Sequence, residues 1–394
     1  MNKYQKAFKH IFCFKGYIIC GISVEPEKAV VTLKRTDEKC KCPKCKRRCS
    51  IIECYNRIIR DLDLCGLKCY IILETYHIKC SCGYYGIEKL DFLDKYARYT
   101  KRFVEYVAQL CQKMSLKDVA EIAGINWKTA KRIDKEELQK LVKGLKNADP
   151  KRIGVDEVAY EKGHKYLTVV RDLDLGRVIW VKEGRAKEDL DQFFVELGKK
   201  KCKRIIVAVI DMWKPYIASI KEYTNAEIVF DKFHVAKKIN EAVDNIRKKE
   251  FAKADKEERI NMKHKRFLIL SRRKNLKPEE VESLDILMQQ NNPLYIAYLM
   301  KEQGLDVFDE TDPISGIARI HKWIDNVILT GIEEFNSVIE TIKNYLYGIV
   351  NYFKYKLTNA ASEGFNTKIT VIKRRAYGFR DLEYFKLKIL QSCG

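Results

Sequence analysis

The sequence predicts a multidomain α+β fold, and three observations carry that expectation. Cysteines crowd the front of the chain, a close pair of short helices follows them, and a strand-rich stretch later gives way to continuous helical periodicity. At 394 residues the chain exceeds one ordinary core and suits several units of roughly 100 to 200 residues. The expected division is 1–96 as a zinc-binding domain, 97–150 as a helix-turn-helix domain and 151–254 as the first part of a mixed α/β core. A helical insertion over 255–355 and a return to the core over 356–394 complete it. With 46% hydrophobic and 11% aromatic residues the chain has a globular composition, without a disordered polar tract.

Eleven of the fourteen cysteines fall between Cys13 and Cys82. Ile11 to Ile22, the longest apolar stretch near the start, is interrupted by Lys15 and is too short for a membrane span or a convincing signal peptide. A cytoplasmic, nucleoid-associated protein is expected, and in a reducing compartment clustered thiols bind metal more often than they pair. Cys42-Pro-Lys-Cys45 is one knuckle and Cys80-Ser-Cys82-Gly83 a second, beyond strand-like sequence, so four thiolates can close a tetrahedral zinc site. The second pair is CxC and the span between the pairs exceeds the usual ribbon spacing, which leaves Cys40 as a substitute ligand. Cys13, Cys20, Cys54, Cys65 and Cys69 read as buried free cysteines.

From Thr100 to Met114 the apolar residues Phe103, Val104, Val107, Leu110, Cys111 and Met114 recur at helical spacing. In the following Ser115 to Ile133, small Ala120 precedes Gly124 by four, and Ile125, Ala130 and Ile133 supply an inner face. That is a helix-turn-helix pattern, because the small residue lets two helices approach and the glycine permits the sharp turn. Asn126, Trp127, Lys128, Thr129, Lys131 and Arg132 are left on exposed faces, suited to a DNA groove.

Gly144 to Pro150 breaks this pattern. Strands follow over Arg152 to Tyr160, Lys165 to Leu173 and Arg177 to Lys182, with turn chemistry at Lys162-Gly163 and Asp174-Leu175-Gly176 making them antiparallel. After a helix from Ala186 to Leu197, the apolar run Ile205 to Ile210 reads as a central strand buried on both faces. Tyr216 to Tyr223 reads as helix, Glu227 to Phe230 as strand and His234 to Ala254 as a long helix. This order is that of an RNase H-like core, although other mixed α/β folds share it. Beyond Lys253 come the helical stretches Pro278 to Gln290, Pro293 to Gln303, Ile314 to Ile328 and Ile332 to Phe353.

Three carboxylates stand out on this framework. Asp156 should project from the first strand opposite Ile153 and Val155, Asp211 ends the strand Ile205 to Ile210, and Glu363 shares a helical face with Asn359, Asn366 and Thr370. Taken singly, each can be an ordinary surface or capping acid. Together, clustered carboxylates repel one another unless a cation neutralises them, and an oxygen-only set suits magnesium or manganese. Two such ions about 3.5 to 4 Å apart support in-line displacement at phosphorus, the chemistry of nucleases and of strand transfer.

Net charge agrees with a polyanionic partner: +22, with pI near 9.3 and the basic residues spread along the chain. A membrane surface is the other polyanion, and against it the apolar stretch Ile11 to Ile22 near the start falls short of the roughly 20 residues a span needs.

At this point several runs resemble the ISL-three group of bacterial insertion-sequence transposases. They are Ile153-Gly-Val-Asp156-Glu, Lys165-Tyr-Leu-Thr-Val-Val, Val209-Ile-Asp211-Met-Trp-Lys-Pro-Tyr216, Phe230-Asp231-Lys-Phe-His234-Val, Glu363-Gly-Phe-Asn-Thr-Lys-Ile and Lys373-Arg-Arg-Ala-Tyr-Gly-Phe379. The resemblance covers nearly the whole chain. It implies a DDE transposase whose metal-binding triad matches Asp156, Asp211 and Glu363, with the helical stretch between Asp231 and Glu363 interrupting the catalytic fold. Asp231 and His234 match a family motif; His234 is either an active-site or DNA-contacting group or a structural one. Lys373, Arg374 and Arg375 either track phosphates or form a solvated basic face. The implied partners are double-stranded DNA, as terminal inverted repeats and as target, and a second copy of the chain, since joining two ends needs at least a dimer. Two other readings remain open: a repurposed sequence-specific DNA-binding protein without chemistry, and an RNase H-like nuclease without strand transfer.

Overall fold

The computed structural model describes residues 12, 14–36, 40–145, 148–161, 163, 165–358 and 360–394, except the side chains of 145 and 360–363. Cys13, Asn359, Lys162 and the Glu363 side chain therefore lie outside the described residues. The chain divides into two compact units, Met1–Leu141 with Arg374–Arg380, and Val142–Lys373 with Asp381–Gly394.

The first unit is built on five strands: β1 (Tyr17–Glu25), β2 (Lys28–Arg35), β3 (Ser50–Arg60), β4 (Lys68–Lys79) and β5 (Tyr85–Ile87). They form a sheet of order β1-β2-β4-β3, with β5 pairing β4. β2 and β4 alternate buried with more exposed positions, and their inward residues Val31, Leu33, Ile71 and Leu73 pack with Phe12, Phe14, Tyr17 and Leu93. Three helices follow, Lys101–Lys113, Leu116–Ala123 and Trp127–Leu145, the last crossing the unit boundary. The fully buried Asp61 ties sheet to helices: it accepts from the Thr100 hydroxyl at 2.6 Å and from Arg102 Nε at 2.8 Å. Thr100 in turn caps the first helix by accepting from the Phe103 amide.

The second unit holds another five-stranded sheet. β6 (Arg152–Glu161), β7 (Lys165–Asp172) and β8 (Arg177–Glu183) run antiparallel, while β9 (Val207–Ile210) and β10 (Glu227–Phe230) lie parallel to β6, in the order β10-β9-β6-β7-β8. Helices Lys187–Leu197, Lys214–Tyr223 and Lys232–Lys253 alternate with the strands, close to the expected boundaries. β9 is buried at every residue, as a central strand covered on both faces must be.

The helices between 256 and 355 do not form a core of their own. Ile320, Trp323, Ile339 and Phe353 belong to the same apolar cluster as Val207, Val209 and Phe230 of the sheet. The helix Asn336–Tyr355 lies so close to β10 that a Cβ on Gly348 would stand 2.4 Å from the Phe230 ring. Asn351 Nδ2 donates to the Ile228 carbonyl at 2.8 Å, fastening the same pair of elements. Two short helices that the periodicity did not reveal, Lys256–Met262 and Arg266–Leu270, also belong to this stretch. Among the described residues no helix is long and apolar enough to cross a membrane.

Candidate functional site

The four cysteines singled out in sequence meet. Cys42 Sγ lies 3.6 Å from Cys82 Sγ and Cys45 Sγ 3.5 Å from Cys80 Sγ, and all four sulfurs fall within 4.8 Å of one another. A tetrahedron with Zn–S bonds of about 2.3 Å has edges of about 3.8 Å, so the set fits zinc in both element and size. The long span between the pairs closes because it is a hairpin. β3 and β4 pair Ser50 with Lys79, which brings the residues just before β3 beside those just after β4. In the first knuckle the Lys44 and Cys45 amides point at Cys42 Sγ at 3.3 and 3.5 Å. In the second, the Cys82 backbone N–H is the largest influence drawing the Cys80 thiol down to about 6, toward the thiolate that binds metal.

Cys40 is not one of the set; it is buried against Tyr76 and Ile78, with its sulfur 3.7 Å from Glu88 Oε2. Cys49, not singled out in sequence, is the thiol beside the set, because the hairpin register places it next to Cys80. Burial, then the hydrogen bond to Cys80, push it up to about 12, so it stays a neutral thiol. Of the cysteines expected to be buried and free, Cys69 is buried, but Cys20, Cys54 and Cys65 are exposed. Cys20 lies on the largely exposed edge strand β1 and Cys54 on the exposed run of β3, while Cys65 occupies the tight turn between Leu64 and Leu67 with φ +49°.

The helix-turn-helix forms as its residue pattern requires. Ser115 caps the helix Leu116–Ala123 through the Asp118 amide, and Gly124 ends it at φ +61°, returning its N–H to the Ala120 carbonyl. Val119, Ala123, Ala130 and Ile133 pack with Phe103 and Val107, and Ile125 is partly buried against them. Trp127, Lys128 and Arg132 are exposed, and Arg132 pairs with Glu136 at 2.9 Å. Thr129 and Lys131, expected on exposed faces, are half-buried because they flank the inward Ala130.

In the second unit, strand register assembles the acids. Gly154 of β6 pairs Val209 of β9, which pairs Val229 of β10. Two residues further along each strand stand Asp156, Asp211 and Asp231, level with one another and of one facing parity. β9 and β10 stop there, whereas β6 continues to Glu161, so the row sits where two strand ends open beside a longer strand. Asp231 is buried and caps the helix Lys232–Lys253, accepting from the Phe233 amide at 3.0 Å; His234 is thus the third residue of that helix, not its opening one.

The electrostatics are those of crowded acids. Burial raises the Asp211 carboxyl to about 6, with the charges of Glu157 and Asp156 adding to it and His234 opposing. Asp211 Oδ1 is buried with no hydrogen-bond partner among the described residues, an oxygen that a cation would satisfy. Glu157 is also raised, by burial above all, and Arg185 opposes that shift with a nitrogen 3.5 Å from Oε1. Asn366 Nδ2, on the helix Ala360–Arg375, donates to Asp156 Oδ2 at 3.3 Å. Arg171, buried behind Asp156 with Phe365 5.2 Å from its guanidinium, feels both Asp156 and Asp231.

Glu157, Arg171 and Arg185 were not singled out in sequence. Glu157 carried a signal as the neighbour of Asp156, but no pattern marks the two arginines. Of the basic run, Arg374 is exposed, the Lys373 ammonium donates to the Tyr160 carbonyl, and Arg375 Nη1 donates to the Gln112 carbonyl at 2.7 Å.

Comparison with known proteins agrees with both units. A transposase model of the DDE, ISL3 type matches residues 153–389, and the helix-turn-helix domain of transposase family ISL3 matches residues 88–137. The transposase for insertion sequence element IS1001 of Bordetella parapertussis is 33% identical over 365 residues, covering 91% of this chain and 90% of that protein. The transposase for insertion sequence element IS1557 of Mycobacterium tuberculosis is 26% identical over 368 residues, covering 86% and 82%. The class these matches define is the insertion-sequence transposases. Within it, the chain belongs to transposase family ISL3.

Proposed function

We propose that this chain binds the terminal inverted repeats of its own insertion sequence, cuts DNA there and transfers the cut strand to target DNA. In this reading the second unit is an RNase H-like core, with residues 255–355 as a helical insertion and 356–394 returning to the core. The observation that carries it is the level row of acids where β9 and β10 end beside β6. Asp156 and Asp211 are crowded, one Asp211 oxygen has no hydrogen-bond partner among the described residues, and Asn366 approaches Asp156 from the helix that also bears Glu363. Glu363 precedes Asn366 by three residues, a spacing that puts two residues on one helical face.

Asp156, Asp211 and Glu363 would hold magnesium or manganese, which when bound stabilises charge on the attacking and leaving oxygens at phosphorus. The chain's own groups orient the site. Asn366 fixes one Asp156 oxygen, His234 favours the ionised form of Asp211, and Asp231 anchors the helix that carries His234. Residues 1–96 would fold around zinc on Cys42, Cys45, Cys80 and Cys82. The helix-turn-helix would present Trp127, Lys128, Lys131 and Arg132 to the repeats, with Lys373, Arg374 and Arg375 as further phosphate contacts. Two ends must meet, so the working form would be at least a dimer.

The test uses the full chain with DNA carrying the element's ends. Asp156→Asn, Asp211→Asn and Glu363→Gln should bind these ends about as tightly as wild type yet lose cleavage and strand transfer by several orders of magnitude, as loss of a metal ligand disables such sites. Glu383→Gln, which removes only the ion pair that exposed Glu383 makes with Lys386, should leave both intact. Near-normal cleavage by Glu363→Gln would remove Glu363 from the triad. Normal cleavage by all three variants would remove the proposed active site.

A further inference from the structure

We infer that Arg185 holds a phosphate of the DNA strand at the carboxylate site, and that its pairing with Glu157 is the seat it keeps when no strand is present. The inference rests on the reading of Asp156 and Asp211 as the cutting site. The metals that the acids would hold offset the acids' own charge, and a protein cation beside the row would in addition seat a neighbouring phosphate of the same strand. Arg171, which couples to Asp156 and Asp231, is sealed in, with only 2% of its surface accessible, whereas Arg185 pairs with Glu157, whose charge acts on Asp211, and has a side chain 38% exposed.

The segment bearing Arg185 is held as a preformed piece. Gly184 sits at φ +105°, a backbone conformation that favours glycine, and a Cβ there would press on the Asp189 carboxylate. Its N–H donates to the Tyr166 carbonyl at 2.8 Å, and its carbonyl accepts from the Thr168 hydroxyl at 2.7 Å. Thr168 is fully buried and lies 2.9 Å from the buried Tyr216 hydroxyl, which donates to it. The Trp213 indole N–H, two residues beyond Asp211, donates to the carbonyl of Arg185 itself at 3.1 Å. The arginine backbone is thus fixed to the loop that carries Asp211.

The guanidinium is held by faces and keeps its edges available. It lies 4.3 Å from the Tyr166 ring centroid and 5.0 Å from that of Trp213, and cation–π contact fixes it without using its N–H donors. Its ion pair with Glu157 is 3.5 Å long, well beyond the 2.7 to 2.9 Å usual for a charge-assisted hydrogen bond. An arginine fork matches two non-bridging phosphate oxygens, and a phosphodiester offers a better-fitting partner than Glu157 does. The ligand class is therefore a backbone phosphate, recognised without regard to base.

The test compares full-length wild type, Arg185→Gln and Arg185→Lys on end-bearing DNA. In this DNA each phosphate around the cut is replaced in turn by an uncharged methylphosphonate. Arg185→Gln should cleave about 100-fold more slowly at saturating DNA, in the range seen when one preorganised donor to a developing charge is lost. End binding should stay within about twofold, because Arg185 adds one phosphate contact to the several proposed elsewhere on the chain. At one phosphate the methylphosphonate should slow wild type strongly and Arg185→Gln hardly further, the non-additivity expected of two groups in direct contact. If glutamine there lowers the melting temperature, Arg185→Lys carries the same scan and should show a reduced penalty at that phosphate. Equal penalties at every phosphate in wild type and variants would overturn the assignment, as would wild-type cleavage by Arg185→Gln. Asp156→Asn and Asp211→Asn run in parallel: if they are inactive while Arg185→Gln is normal, only Arg185 is misassigned, and if they too cleave, the cutting site itself is wrong.

Discussion

Asp211 shows how one residue records the purpose of its surroundings. Its ordinary value of 3.8 is raised to about 6, chiefly by burial and then by Glu157 and Asp156. Between those two values the folded protein holds a proton that the unfolded chain releases. Stability in the presence of a chelator should therefore fall as pH rises from about 4 to about 6, then level off. The loss attributable to this carboxyl is on the order of 2 to 3 kcal/mol. Denaturant melts of wild type and Asp211→Asn across that range measure it: the difference between the two should shift in the variant's favour as pH rises. Magnesium should restore wild type above pH 6 and do little for the variant. Two curves that stay parallel would show that Asp211 is not the strained group.

At the scale of elements, the zinc knuckles depend on a hairpin, not on local spacing. Each knuckle supplies two thiols, and only the pairing of β3 with β4 brings the two pairs together. Replacing one thiol in each should abolish a site that needs four. Elemental analysis of the full chain should find one zinc per protein in wild type and none in the Cys42→Ser, Cys80→Ser double variant. Zinc content unchanged by that pair of substitutions would remove these ligands. Cys40→Ser should keep its zinc, since its sulfur faces Glu88 and Tyr76 and lies outside the set.

For the whole molecule, the net charge of +22 favours a polyanionic partner, and the number of phosphates contacted sets how binding responds to salt. Each phosphate contact releases condensed counterions, giving a slope in log affinity against log salt of about −0.9 per contact. Lys128→Ala with Lys131→Ala should lower that slope by about 2 for end-bearing DNA, provided both lysines meet phosphates. Fluorescence anisotropy at several salt concentrations reads it directly. An unchanged slope would move the phosphate contacts elsewhere on the basic surface. Glu363→Gln should leave the slope as it is.

Periodicity and short-range chemistry made much of this legible without coordinates. The buried run before Asp211, the glycine that turns the helix pair and the succession of strands and helices in the second unit all follow from local pattern, because burial on one face or two imposes a period that a single chain displays. The knuckle cysteines and Asp211 stand at or near the ends of strands, and Asp156 stands within a strand, whose type the residues declare. What the linear pattern leaves open is every feature made by residues far apart in sequence. The level alignment of Asp156, Asp211 and Asp231 depends on inter-strand register. The place of Cys49 beside the knuckles depends on the pairing of β3 with β4. Arg185 becomes a fixed cation only through Tyr166, Thr168, Trp213 and Tyr216, drawn from one strand, a loop and a helix. Exposure of Cys20 and Cys54 likewise followed from an edge strand and an uncovered sheet face, which composition does not reveal. Sequence alone determined the elements and the residues able to do chemistry, since backbone preference and hydrophobic period are local. Tertiary structure decided which of those residues meet, because register and packing are settled only when distant segments share one core.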